Sequence, residues 1–281
     1  MKNNLPRPKP GTLWTTSSST EQLPAGAQPG NVRLASYNIH IGIGRDGVFA
    51  PERIAAVLKE LAADVIALQE VPLGPRPYDL LEFLQKATGM HALAAPTLVN
   101  KVNGAYGNAL LTRHKVLSSQ RLDISVPGYQ PRGAIDVSLD CRLPGFEEPL
   151  RVIGTHLGLR PGERRLQVPR LLDAIDERDK KGITPTVLMG DINEWFLWGR
   201  PLRWLHAHFR QPRAIATFPS GCPLFALDRI WVRPSHLIMH MGAHRSVLSR
   251  IASDHLPLVA DLGAADRSAA DAGVPPAAGV D

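Results

Sequence analysis

Val187-Leu188-Met189-Gly190-Asp191-Ile192-Asn193 decides how this chain is read. The stretch opens as an apolar run of the kind that makes a buried strand. It ends in a glycine, then a carboxylate and an amide two positions apart. Gly190 carries no Cβ, so another group can approach the backbone closely there. In extended backbone, residues i and i+2 point to one side, which lets Asp191 and Asn193 face one ligand together. A carboxylate can polarise or deprotonate water near a metal, and an amide can hold a phosphate oxygen without adding charge. Standing alone, the same residues would make an ordinary Asx turn.

The arrangement recurs along the chain. The run from Val32 to Tyr37 ends at Asn38, Val65 to Gln69 ends at Glu70, and Val152 to Thr155 ends at His156. Asp228 opens the run Asp-Arg-Ile-Trp-Val, and Asp254-His255 precede Leu256-Pro257-Leu258-Val259. Short Val/Ile/Leu-rich runs bounded by turn residues are strands, and their polar ends converge where a sheet presents one edge to a ligand. Between them lie helical patterns. Pro51 to Ala63 spaces Ile54, Val57, Leu58 and Leu61 at helical intervals. Asp79 caps a second helix that ends at Gly89, and Glu163 to Lys181 is a third, with Pro169 expected to kink it. Ala134 to Leu143 alternates strictly, which predicts a half-exposed antiparallel strand. Mixed strands and helices with antiparallel features argue against a simple dinucleotide-binding pattern.

The 281 residues are 44% hydrophobic, enough for one large core. Residues 1–30 and 263–281 are rich in Pro, Gly, Ser, Thr or Ala and lack periodicity. They are expected to be flexible tails around a single domain at 31–262. No run approaches the roughly 18 apolar residues of a membrane span, and the first thirty residues lack a secretory h-region. Cys141 and Cys222 give neither a disulfide framework nor a metal spacing, so a cytoplasmic location is expected. A net charge of +6 suits a polyanionic partner, nucleic acid or an anionic membrane surface.

Asn38, Glu70, His156, Asp191, Asn193, Asp228, Asp254 and His255 together supply three kinds of chemistry. Carboxylates and an amide suit Mg²⁺. Histidines move protons near neutral pH, and Asp228 can orient one of them. A metal and a base activate water without a protein nucleophile.

The ordered set Ser36-Tyr37-Asn38, Leu68-Gln69-Glu70, Thr155-His156-Leu157, Gly190 to Asn193, Leu227 to Ile230 and Ser253-Asp254-His255 resembles the endonuclease/exonuclease/phosphatase superfamily. That superfamily holds deoxyribonuclease I, abasic-site endonucleases, bacterial sphingomyelinases and inositol-polyphosphate 5-phosphatases. The resemblance implies an α+β fold, a two-sheet β-sandwich flanked by helices in four α/β/β/α layers, with the site at one end. It implies a Mg²⁺-dependent phosphoester hydrolase, with Mn²⁺ as a substitute. By position, Glu70 would be the main metal ligand, with Asn38 and Asp254 nearby. Asp191 and Asn193 would position water and phosphate. His255, paired with Asp228, would serve as base or stabilise phosphate charge, and His156 would be the second histidine, transferring a proton or contacting phosphate. His40 stands where abasic-site endonucleases carry an acid, which argues against that repair role.

Arg132, Asn108 and Arg160 are the expected substrate contacts. Trp195 to Leu205 places three tryptophans and two arginines beside Asn193. Aromatics next to cations suit a membrane interface or base stacking, and part of this segment is expected to pack into the core. The leading expectation is a Mg²⁺-dependent phosphodiesterase, with an endo- or exonuclease as one form of it. A phospholipid headgroup phosphodiesterase or phosphatase is the alternative, and a non-catalytic phosphate-binding module a third.

Overall fold

The computed structural model describes residues 31–74, 79–100, 104–179 and 183–263. The expected tail at 1–30, and that at 263–281 apart from Gly263, lie outside the described residues. In chain order the elements are β1 (Val32–Asn38), α1 (Pro51–Leu61), β2 (Val65–Leu73), α2 (Leu80–Thr88), β3 (His91–Asn100), β4 (Gly104–Thr112), β5 (Val116–Asp123) and β6 (Gly133–Leu139). They continue as β7 (Leu150–His156), α3 (Pro161–Arg178), β8 (Thr186–Asp191), α4 (Arg200–Phe209), β9 (Asp228–Arg233), β10 (Ile238–Ala243), α5 (Ser249–Ala252) and β11 (Leu258–Leu262).

The strands form two sheets. One has the order β10-β11-β1-β2-β4-β3, the other β5-β6-β7-β8-β9. Only β1–β2 and β7–β8 pair in parallel among the described strands. Leu34, Val65, Ala67 and Leu110 of the first sheet share one core with Ile135, Val137, Val152, Val187, Met189 and Ile230 of the second. The outer face of the first sheet packs Tyr37, Ile66 and Leu68 on Ile54, Val57 and Leu61 of α1 and on Leu80 and Leu84 of α2. The outer face of the second packs Ile153, Leu188 and Trp231 on Val168 and Leu171 of α3 and on Leu202 and Leu205 of α4. The result is the expected four-layer α/β/β/α sandwich.

The helix ends follow the capping residues. Pro51 begins α1, the Asp79 Oδ1 accepts the Glu82 amide at 2.9 Å at the start of α2, and Gly89 closes α2 at φ +67°. Three expectations need correction. The helix α3 starts at Pro161 and runs unbroken through Pro169. That residue lies on its half-exposed side, where a missing amide bond is nearest water; residues 180–181 of the expected helix fall outside the described ones. Second, β6 is buried on both faces. Its outward polar residue, Asp136, is fully buried in ion pairs with Arg151 at 2.7 Å and Arg178 at 2.9 Å. The strand stops at Leu139, and Leu143 joins the inter-sheet core from beyond it. Third, Glu70 does not end β2. It sits at a bulge where pairing with β4 shifts between Leu68 and Val71, with φ +58°.

Candidate active site

Sheet register gathers the candidates. His156 at the end of β7 pairs with Asp191 at the end of β8, and Asp191 pairs with Asp228 at the start of β9. Asn38 closes β1 beside Gln69. The close approach at Gly190 is made by the neighbouring strand: φ is +152°, and a Cβ there would overlap the Thr155 carbonyl. The bulge at Glu70 turns its side chain off the regular pleat. Its carboxylate accepts from Asn38 Nδ2 at 3.2 Å, and the same nitrogen donates to Asp191 Oδ2 at 3.0 Å. Two carboxylates are thus held together across the two sheets by one neutral amide.

Asn193 is left-handed at φ +54°, and its backbone N–H donates to Asp191 Oδ1 at 2.9 Å. The Asx turn and the ligand-facing pair are one arrangement. Oδ1 caps the turn and leaves Oδ2 facing the site. The Asn193 side-chain nitrogen donates to the Leu157 carbonyl at 2.9 Å and lies 2.9 Å from His156 Nε2. On the other side of that ring, the Arg132 guanidinium lies 3.1 Å from Nδ1. A guanidinium and an amide nitrogen only donate, so both ring nitrogens face donors, which disfavours a protonated, cationic ring. Burial first, and Arg132 second, pull His156 down to about 3.

His255 is the opposite case. Its Nδ1 donates to Asp228 Oδ2 at 2.8 Å, the oxygen that also accepts from Thr217 Oγ1 at 2.6 Å. Burial by itself lowers His255, but Asp228, Asp191 and Asp254 outweigh it and lift it to about 10. It is an imidazolium at neutral pH, with Nε2 3.7 Å from Asp191 Oδ2.

Of the remaining expected residues, Asp254 is brought to the same mouth. Ser253 Oγ donates to the Asn38 carbonyl at 2.7 Å and lies 3.3 Å from Asp254 Oδ1. Asn108 is buried and donates its amide to the Gly133 carbonyl at 2.9 Å. Arg160 is exposed in the turn that starts α3. Three neighbours were not expected. Tyr106 hydrogen-bonds Glu70, and burial followed by that carboxylate raises its phenol. Thr217 fixes Asp228, and Phe218 lies against His255 with ring centroids 4.8 Å apart. Tyr106 lies two residues before Asn108 on β4, the only spacing cue; Thr217 and Phe218 carry none.

Two carboxylate groupings could receive a cation. Donor atoms of Asp191, Asp228 and His255 all lie within 4.8 Å of one another. A protonated His255 cannot ligate, and its proton already compensates Asp228. Glu70 and Asp191 offer carboxylate oxygens, the hard donors that Mg²⁺ or Mn²⁺ takes; Asn38 turns its nitrogen to both, and its Oδ1 accepts from the His40 amide at 3.0 Å. The residues therefore fit a divalent ion at the Glu70 side of Asp191.

The sequence profile of the Endonuclease/Exonuclease/phosphatase family matches residues 35–255. The uncharacterized protein YbhP of Escherichia coli K12 is 27% identical over 267 residues, covering 85% of this chain and 99% of that protein. The endonuclease/exonuclease/phosphatase of Bacteroides vulgatus superposes with TM-score 0.68 at 19% identity, over 84% of this chain and 99% of its own. The mannosyl-6-phosphatase Bt3783 of Bacteroides thetaiotaomicron superposes with TM-score 0.65 at 18% identity, over 82% and 98%.

Proposed function

The chain belongs to the endonuclease/exonuclease/phosphatase family, and we propose that it is a Mg²⁺-dependent phosphodiester hydrolase working through the residues just described. One observation carries this. Two carboxylates bridged by one neutral amide, Glu70 and Asp191, stand beside a group of nitrogen donors made of Arg132, His156, Asn193 and His255. Arg132 is 6% exposed and its Nε–H has no partner. A buried cation with a free donor, set beside a carboxylate pair, is complementary to a metal-bound phosphate, negative on one side and neutralised on the other.

Glu70 and Asp191 would hold the metal, with Asn38 and Asp254 at its edge. When bound, it neutralises phosphate charge and favours loss of the leaving oxygen. Asp191 takes the proton of the attacking water. Arg132 and Asn193 hold phosphate oxygens, and His156, kept neutral between them, orients both. His255, kept protonated by Asp228, stabilises the charge that builds on the phosphoryl oxygens. Thr217 positions Asp228 for that task.

A headgroup phosphoester at a membrane surface is the second reading, favoured over nucleic acid by the exposed Trp195–Trp198 segment beside Asn193. The discriminating assay offers bis(p-nitrophenyl) phosphate, p-nitrophenyl phosphate and supercoiled plasmid in parallel, with Mg²⁺ or EDTA. Cleavage of the diester with Mg²⁺ only, and loss in His156→Ala, supports the diesterase. Preference for the monoester makes it a phosphatase, and nicked plasmid makes it a nuclease. A Glu70→Ala protein that keeps full function in the cell would make it a binding module.

A further inference from the structure

Trp195, Phe196, Leu197 and Trp198 follow the site directly and are 41, 54, 52 and 73% exposed. Single exposed apolar residues are ordinary on a protein surface, but four large ones in succession are not. The loop that carries them is anchored. Glu194, 4% exposed, accepts from Arg164 Nε at 3.2 Å and Nη2 at 3.1 Å, and from the Phe196 amide at 3.3 Å. Arg164 also donates to the Leu159 carbonyl at 2.7 Å, which brings Leu159, 64% exposed, beside the same loop.

A path of rings joins this surface to the site. Phe218 lies against His255, Trp195 meets Phe218 at 5.7 Å and Phe225 at 4.8 Å, and Leu224 next to Phe225 is 70% exposed. Exposed arginines flank the apolar rim: Arg160 follows Leu159, Arg200 follows the tryptophan loop, and Arg250 donates to the Gly221 carbonyl at 3.4 Å. Stretches 157–162, 195–205 and 218–227 contain no Asp or Glu.

We propose that this apolar, arginine-flanked rim docks on an anionic phospholipid bilayer and brings the site down to the headgroup phosphates. The inference deepens the hydrolase reading and rests on it for what happens after docking. Indole and phenyl rings settle at the headgroup level, leucines enter the acyl boundary, and arginines pair with lipid phosphates. Single-stranded nucleic acid is the poorer match. Bases stack on aromatic platforms in a basic groove, whereas Leu159, Leu197 and Leu224 offer a base no face to stack on.

The test is co-sedimentation of the full chain with vesicles of phosphatidylcholine alone, or of phosphatidylcholine mixed with phosphatidylglycerol. The wild-type protein pellets with the mixed vesicles and far less with the neutral ones, and added salt releases it. The Phe196→Ser/Trp198→Ser variant loses about tenfold or more of that affinity. It still turns over soluble bis(p-nitrophenyl) phosphate at the wild-type rate. Equal pelleting of variant and wild type overturns the proposal. So does tryptophan fluorescence that responds to oligothymidylate but not to vesicles, or a variant whose only change is loss of self-association. His156→Ala separates the two readings: it binds vesicles fully and hydrolyses nothing. If the wild type binds vesicles through the rim but never cleaves the soluble ester, docking stands and the hydrolase reading falls.

Discussion

The two site histidines are driven in opposite directions by what surrounds them. His156, beside a guanidinium, stays neutral; His255, among three carboxylates, stays charged. The first has a consequence for stability. Its folded value is near 3, against 6.5 for the free group, so below pH 6.5 the unfolded chain takes a proton that the folded chain refuses. Stability is then lost as pH falls, by about 1.4 kcal/mol per pH unit. From about pH 7 to about pH 5, urea unfolding of the wild type should lose about 2 kcal/mol more than that of His156→Asn. Parallel curves would show that His156 is not held neutral. Arg132 is the residue with most to lose at the phosphate. Arg132→Met should lower kcat about 10²–10³-fold while leaving the Mg²⁺ requirement in place. An unchanged kcat would remove it from the phosphate site. Legibility at this scale follows a simple physical rule. Asn38, His156, Asp191, Asp228 and His255 could be picked out because each interrupts an apolar run. Tyr106, Thr217 and Phe218 could not, since a hydroxyl or a ring beside a strand leaves no mark in a hydrophobic pattern.

Helix limits were readable because caps are local: Pro51, Asp79 and Gly89 each act on the turn they border. Burial of β6 was not, because it depends on residues far away. The alternation in Ala134–Leu143 is genuine, but Arg151 on β7 and Arg178 on α3 neutralise Asp136, so its polar side is covered as fully as its apolar side. The bulge at Glu70 was hidden for the same reason, since it exists only against β4. Removing the acid leaves the buried Arg151 guanidinium, and the partly exposed one of Arg178, without a counter-charge. Asp136→Ala should therefore cost about 3–5 kcal/mol, seen as a lower urea midpoint with an unchanged slope. A midpoint within experimental error of wild type would mean that the triad contributes nothing to holding α3 on the sheet.

Over the whole molecule, two sheets each bring part of the chemistry to one end. β1 and β2 supply Asn38 and Glu70, while β7, β8 and β9 supply His156, Asp191 and Asp228. Only closure of the sandwich forms the Glu70–Asn38–Asp191 contact. The fold was legible because the strand-end residues recur in order over most of the chain. The exposure of Trp195–Trp198 was not, since the same letters serve a core as well as a rim; Leu202 and Leu205, a few residues on, are fully buried. No helix among the described residues is long and apolar enough to cross a membrane. The central claim is that the junction between the sheets holds a divalent ion and hydrolyses a phosphoester. Its most direct measurement is bis(p-nitrophenyl) phosphate turnover against Mg²⁺ concentration, for wild type and Glu70→Gln, with thermal unfolding recorded in the same solutions. The expected result is no turnover in EDTA and saturable activation by Mg²⁺. Unfolding should shift upward with Mg²⁺, worth about 2.7 kcal/mol at a hundredfold excess over Kd, and Glu70→Gln should lose both effects. Full turnover in EDTA, or a Glu70→Gln protein that responds to Mg²⁺ as the wild type does, would contradict it.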